Sequence, residues 1–164
     1  MNVADFKNAM AEFASGVTVV TTAHEGRPVG MTVSAFVSVS LDPPLVLVCV
    51  SDDASPKPHL EAAGLFGVNV LGDHQVELGE RFAGAVPADE RFDGVATTVG
   101  STGVPLIEGC LAQVECKVVE AHRMGDHTVF VGAVVNVSVL GAGSPLLHHR
   151  RTWATLGARK AESV

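Results

Sequence analysis

With 164 residues, 47% of them hydrophobic and 18% charged, the chain can bury one cored domain and is too apolar for global disorder. Its net charge of −7 is spread without a basic stripe, which excludes a nucleic-acid partner. Mean hydropathy is +0.32, yet no apolar run reaches the roughly 18–20 residues of a spanning helix, and no basic-then-apolar leader opens the sequence. The hydrophobic excess is therefore assigned to burial on several faces, a subunit interface included. Cys49, Cys110 and Cys116 are too few for a disulfide framework and lack ligand partners at zinc spacing, so no metal site and a reducing, cytoplasmic setting are expected.

Phe6, Ala9, Met10 and Phe13 form the stripe of a short helix, with Gly16 as its stop. Val17–Thr22 is a β-branched first strand, and Glu25–Pro28 a turn. From Val29 the period is two: Val29, Met31, Val33, Ala35, Val37 and Val39 share one face of a continuous strand, opposite Gly30, Thr32, Ser34, Phe36, Ser38 and Ser40. Leu41–Pro44 breaks it, and Leu45–Val50 reads as a fully buried strand. Ser55–Pro56 is expected to cap a helix over Lys57–Ala63 that Gly64 closes. Leu65–Leu71 is the next strand, and Asp73 is expected to cap a helix running to about Phe82. Ala85–Pro105 reads as a long irregular loop. Leu111–Val119 and Thr128–Leu140 are strands flanking a turn at Met124–Asp126, and Gly141–Pro145 leads into the basic cluster His148–Arg151 and a polar tail. Strands outnumber short helices, which favours an antiparallel barrel over a layered α/β fold; no dinucleotide-binding glycine motif or P-loop occurs.

Three segments could carry chemistry. The row Thr32, Ser34, Ser38 and Ser40, with Gly30 and Phe36, offers the flat, small-residue wall that a planar heterocycle needs. Ser51–Lys57 offers hydroxyls, a lysine and free backbone N–H groups to a phosphate, with Asp52 and Asp53 opposing unless they point away. His127, just after a tight turn, can bond a ligand amide or carry a proton. The basic cluster is short enough for a small anion. Each segment also has an ordinary structural reading, which its pattern alone favours: a solvated strand face, a capped helix, an exposed turn histidine. No Gly-x-Ser-x-Gly elbow or partnered cysteine supports a nucleophilic triad.

The order of the segments GMTVSAFVSVSLDPPLVLVCV, GLFGVNVL, ERFAG, RFDGV, GVPLIEG, GDHTVFVG and PLLHHRRTW resembles the flavin reductase-like family, and more closely its short NAD(P)H:flavin oxidoreductases that serve two-component monooxygenases. The resemblance runs from about Phe6 to Trp153, within residues 1–164 taken as one domain. It implies a mainly β fold, a Greek-key split β-barrel of the FMN-binding type with a few short helices, working as a homodimer. It also implies FMN or FAD as the flavin, NADH or NADPH as donor, and a flavin-dependent monooxygenase receiving the reduced flavin, with no nucleic acid or membrane partner. Carried residue by residue, Thr32, Val33, Ser34, Ala35 and Phe36 would line the isoalloxazine with Ser38 close by. Ser51, Ser55 and Lys57 would lie near the phosphate and ribityl chain. Arg81 and Phe82 would complete the pocket, and His127 would face the nicotinamide as the catalytic residue. His148 and Arg150 are further cofactor-binding candidates, although the family often has an aromatic residue after its P-L-L segment. A non-catalytic flavin- or haem-binding split barrel and a dimeric interaction module are the competing readings.

Overall fold

The computed structural model describes residues 1–141 and 143–157. Its main sheet has seven strands: β2 (Thr18–His24), β3 (Arg27–Val33), β4 (Phe36–Leu41), β5 (Pro44–Ser51), β6 (Leu65–Val70), β9 (Ala112–Met124) and β10 (His127–Val139). They are ordered β3-β2-β6-β9-β10-β5-β4, and every neighbouring pair is antiparallel. The two edge strands, β3 and β4, are consecutive in sequence. The sheet therefore curls until Ser34–Ala35 joins its edges, which leaves a barrel split at that point. Cys49 N donates to Ala35 O at 3.0 Å, which extends the β4–β5 pairing by one rung up to the crossing. The continuous strand expected over Val29–Ser40 is thus two strands, because the chain must turn from one edge to the other. A small sheet of β1 (Ser15–Gly16), β11 (Leu147–His149) and β12 (Thr152–Ala154) and a hairpin of β7 (Thr97–Val99) and β8 (Pro105–Ile107) complete the strands. Part of the expected irregular loop is therefore strand.

Inside the barrel, Val20, Met31, Val33, Val46, Val48, Val50, Leu60, Phe66, Val68, Cys116 and Phe130 form the main core. A second core of Val17, Val19, Leu71, Phe82, Ile107, Cys110 and Leu146 lies on the other face of β2. With both faces covered, Thr18–Thr22 is buried throughout rather than alternating. β5, expected to be fully buried, alternates between half-buried and buried residues because only one of its faces meets the core.

The helices α1 (Val3–Ala11), α2 (Lys57–Ala63) and α3 (Val76–Glu80) are short. Asn2 caps α1 by accepting from Ala4 N at 3.0 Å. α2 starts from Pro56 without any side-chain cap, so the capping role expected of Ser55 is not present. Gly64 does stop it, in the left-handed conformation at φ 62°. The helix expected from Asp73 is instead a 3₁₀ turn (Asp73–Gln75), α3, and a widened turn over Arg81–Ala85, with Gln75 Oε1 accepting from Gly72 N at 2.9 Å. The expected stripe of α1 is present but unburied: Phe6, Met10 and Phe13 are exposed.

A buried polar brace fixes the β7–β8 hairpin to the barrel. Glu115 on β9 is 2% exposed and accepts from Ser101 N, Thr102 N, both their hydroxyls and Asn136 Nδ2, at 2.6–3.2 Å. Asn69 accepts from Ile107 N at 2.8 Å, and Gln113 Nε2 donates to Ile107 O at 2.6 Å. A Cβ added at Gly100 would lie 2.5 Å from Glu115 Oε2, so that glycine makes room for the carboxylate. Among the described residues no helix is long and apolar enough to cross a membrane.

Candidate functional site

A cavity of about 460 Å³ opens at the split in the barrel. Its floor is Met31–Ala35, where β3 ends and crosses to β4; one wall is Cys49–Ser51 at the end of β5 with Asp53–Pro56 beyond it. The opposite wall is Phe82, Ala83 and Arg91, and His127 stands at the mouth. The volume falls in the range of small-ligand sites, and the lining mixes apolar surface with a few convergent polar groups.

Phe82 is fully buried and meets Phe92 edge-on, with ring centroids 5.0 Å apart. A Cβ on Gly30 would lie 2.9 Å from the Phe82 ring, so the glycine of this strand is what admits the aromatic wall. Thr32 donates its hydroxyl to Gly79 O at 2.6 Å, tying the floor to α3, so only its lone pairs face a ligand. Ser34 and Ala35 are exposed at the break in pairing.

The Ser51–Lys57 loop is positioned by Asp52. Its carboxylate accepts from Thr128 Oγ1 at 2.9 Å and Arg123 Nε at 2.9 Å, and pairs with Lys57 Nζ at 3.3 Å. Its backbone N donates to Asp126 O at 2.9 Å, so the loop and the His127 turn are one unit. The Thr128 hydrogen bond holds the Asp52 carboxyl below its ordinary range against the opposing effect of burial, with Lys57 and Arg123 adding to it. Asp52 thus points away from the cavity, whereas Asp53 lines it. His127 Nδ1 lies 2.8 Å from Asp126 Oδ1, which leaves Nε2 for a ligand. That contact lowers the Asp126 carboxyl from its usual range.

Of the residues expected at the site, Thr32, Val33, Ser34, Ala35, Ser51, Ser55, Phe82 and His127 line the cavity. Phe36 instead packs against the barrel core, and Ser38 is exposed on β4. Lys57 is held by Asp52 and by Glu61 at 2.9 Å. Arg81 donates to the carbonyls of Glu90, Arg91 and Asp93, at 3.0–3.5 Å, behind the wall. His148 meets Trp153 edge-on, with ring centroids 5.6 Å apart, and lines a smaller pocket beside Thr32 and Ser34. Arg150 pairs with Glu12 at 2.7 Å and Arg151 donates to Asn8 at 2.8 Å, so the basic cluster anchors α1 rather than offering an anion site.

Arg91 is the residue the sequence pattern missed. Its Nη1 donates to Gly30 O at 3.0 Å, while its Nε is buried with no partner. The Arg91 guanidinium on the cavity wall, with the small residues of Met31–Ala35 and the Phe82 ring, fits a planar anionic or carbonyl-bearing ligand such as a flavin. The arginine of RFDGV held the only available signal, and adjacency to an aromatic residue does not reveal which way it faces. Cys49 also differs from expectation: it is half-buried and lines the cavity, whereas burial pushes the Cys110 thiol up to about 11 and the Cys116 thiol up to about 12. Among the described residues no group of three His, Cys, Asp or Glu could hold a metal ion.

The chain is 37% identical over 157 residues to the flavin-dependent monooxygenase reductase subunit HsaB of Mycobacterium tuberculosis, covering 94% of this chain and 83% of that protein. It is 42% identical over 137 residues to the NADH-dependent FMN reductase SmoA of Agrobacterium fabrum, covering 84% and 77% respectively. The crystal structure of a nitrilotriacetate monooxygenase component B homologue from Mycobacterium thermoresistibile superposes with a TM-score of 0.90 at 34% identity, over 98% of this chain and 93% of that one. The profile described as "Flavin reductase like domain" matches residues 10–157, and the chain, a split barrel with its cavity at the split, belongs to that family.

Proposed function

We infer that this chain is an NADH-dependent flavin reductase that supplies reduced flavin to a flavin-dependent monooxygenase. The observation that carries the reading is the cavity at the barrel split, with a floor of Met31–Ala35, a wall of Phe82 and Arg91, and His127 at its mouth. When bound, FMN or FAD supplies the acceptor N5 for hydride from the nicotinamide C4. The protein's part is to hold two rings in contact and exclude water. Val33, Ser34 and Ala35 present backbone and small side chains to the isoalloxazine; Ser51 and Ser55 face the ribityl phosphate; Phe82 and Arg91 close the far side. His127 Nε2 orients the nicotinamide carboxamide, with Asp126 fixing the ring. Mixing the purified protein with FMN or FAD and NADH or NADPH, and following the nicotinamide absorbance, tests the reading. Oxidation that needs flavin is expected, and no oxidation with any pairing overturns it.

His127→Ala is expected to raise the KM for NADH about tenfold while leaving the flavin Kd nearly unchanged, as for loss of one hydrogen bond to a polar ligand. Steady-state kinetics and a flavin fluorescence titration check this. Abolished flavin binding would remove His127 from the nicotinamide side.

We also propose that the protein is a homodimer in the cytoplasm, with residues 1–164 acting as one domain. The half of β10 beyond Ala133 has no partner on the β5 side, and Val135, Val137 and Val139 are 56%, 60% and 86% exposed there. Leu41, 94% exposed, ends β4 nearby. Exposed apolar strand edges of this kind are covered in stable proteins. Val137→Asp is expected to convert a dimer to a monomer in light scattering. A monomeric wild type would overturn the assignment. The free thiols of Cys49, Cys110 and Cys116 suit a reducing compartment.

A further inference from the structure

The loop Ser51–Lys57 faces the tail of the flavin in the reading above, and its backbone donors can be followed one by one. Asp52 N donates to Asp126 O at 2.9 Å, Ala54 N to Ser51 O at 3.0 Å and Lys57 N to Ala54 O at 3.0 Å. Asp53 N reaches Ser51 Oγ at 3.4 Å, and Pro56 has no N–H. From Asp52 to Lys57, Ser55 N is therefore the one donor without a partner among the described residues. The helix that follows adds little, since α2 has 7 residues and carries Pro58 in its first turn.

The cations around this loop are occupied as well. Lys57 Nζ lies 2.9 Å from Glu61 and 3.3 Å from Asp52, and Arg123 Nε donates to Asp52 at 2.9 Å. Arg91 stands on the opposite wall with Phe82. Asp53, by contrast, is exposed and lines the cavity, and its carboxylate has no hydrogen bond or ion pair among the described residues. Past Ser55 and Pro56 the surface stays acidic, because the adjoining cavity sets Glu25, Asp89 and Asp93 against Arg27 as its one permanent cation. A phosphate at this end would thus meet two serine hydroxyls and one N–H, with an uncompensated carboxylate beside them.

We propose that this chain recognises its flavin by the ring and ribityl chain and not by the phosphate, that riboflavin is bound at least as tightly as FMN, and that Asp53 is the residue that sets this specificity. The inference rests on the flavin reductase reading above and deepens it. A phosphate monoester carries close to two negative charges at neutral pH, so one carboxylate at contact range offsets what two hydroxyls and an N–H contribute. The hydride is accepted on the ring, which meets Met31–Ala35, Phe82 and Arg91 whether or not a phosphate follows it. A tail that is not held also lets the reduced flavin leave the cavity faster, as a supplier of flavin to another protein requires.

The experiment is a fluorescence titration of the purified flavin-free protein with riboflavin and with FMN, at low and at high salt, for the wild type, Asp53→Asn and Asp53→Lys. Asp53 is exposed and unpartnered, so neither variant disturbs the fold. At low salt the wild type is expected to bind riboflavin at least as tightly as FMN. Asp53→Asn is expected to tighten FMN by about threefold to tenfold and Asp53→Lys by more, with riboflavin unchanged in both. The gain should shrink at high salt, because exposed charges are screened beyond about 10 Å at 0.1 M. A wild type that binds FMN more tightly than riboflavin at low salt has a phosphate site and overturns the proposal. An FMN affinity that Asp53→Asn leaves unmoved, or a gain that riboflavin shares equally, would remove Asp53 from the phosphate and overturn it too. A wild type that binds neither flavin would instead overturn the reading on which the inference rests.

Discussion

Glu115→Ala is expected to lower the unfolding free energy by roughly 3–5 kcal/mol, because it leaves a cluster of buried donors without their acceptor. Ser101, Thr102 and Asn136 all turn to this one carboxylate, and none has an alternative partner on the barrel among the described residues. Urea unfolding at neutral pH measures the loss. The same group predicts an acid limb. Burial alone would push the Glu115 carboxyl up, but hydrogen bonds from the Thr102 hydroxyl and backbone, from Asn136 and from Ser101 N outweigh it and hold the pKa at about 2, against 4.5 for a free glutamate. A carboxyl whose folded pKa lies below its unfolded value contributes stability that is complete above the unfolded value and lost as pH falls through the folded one. The contribution, roughly 3 kcal/mol, should therefore fade between about pH 4.5 and about pH 2. In Glu115→Gln that part of the acid slope should be missing, since an amide does not titrate there. An identical slope in the variant would assign acid lability to other carboxylates.

That brace illustrates what the sequence pattern could not reach. Alternation in Val29–Ser40 marks strand and face, because period two follows from the pleat and needs no knowledge of partners. It does not mark the point where one run becomes two strands on opposite edges of a sheet. Ser34–Ala35 obeys the alternation and is nevertheless the crossing, since only closure of the barrel by β6, β9 and β10 between those edges makes it one. The same limit explains the lysine and arginines. A linear sequence shows Lys57, Arg81 and Arg150 as free cations, yet each has an anionic or carbonyl partner: those of Lys57 and Arg81 lie within 12 residues, and Glu12 lies 138 residues from Arg150. Asp52, which looked like an obstacle to a phosphate, is turned outward by Arg123 and Thr128, residues more than 70 positions downstream. Short-range signals fared well where the cause is short-range, as at Gly64, whose positive φ ends α2. They failed at Ser55, where a serine before a proline suggests a cap but the backbone already turns helically at Pro56, leaving the hydroxyl in the cavity.

Arg91→Gln is expected to weaken flavin binding by about tenfold to a hundredfold, the cost of losing a hydrogen bond to a charged group in a water-poor site. Asp53, Arg91 and His127 are the titratable oxygen- and nitrogen-bearing side chains on the cavity wall, and of these only Arg91 is permanently cationic. Its Nη1 is fixed on Gly30 O, which holds the guanidinium on the cavity wall, where an anionic or carbonyl acceptor meets a preplaced cation. A fixed positive charge also favours the added negative charge of a reduced flavin, so the midpoint potential of the bound flavin should fall in Arg91→Gln. Arg91→Lys should restore much of the potential but only part of the affinity, because an ammonium keeps the charge without the planar fork that serves Gly30 and a ligand together. Fluorescence titration gives the affinities and redox titration of the bound flavin gives the potential, neither of which depends on turnover. Since Arg91 lies on the wall of the flavin cavity itself, FMN and FAD should be weakened alike. Wild-type affinity and potential in Arg91→Gln would mean that the guanidinium meets no ligand and serves only to hold the Gly30 carbonyl and the edge of the barrel in place.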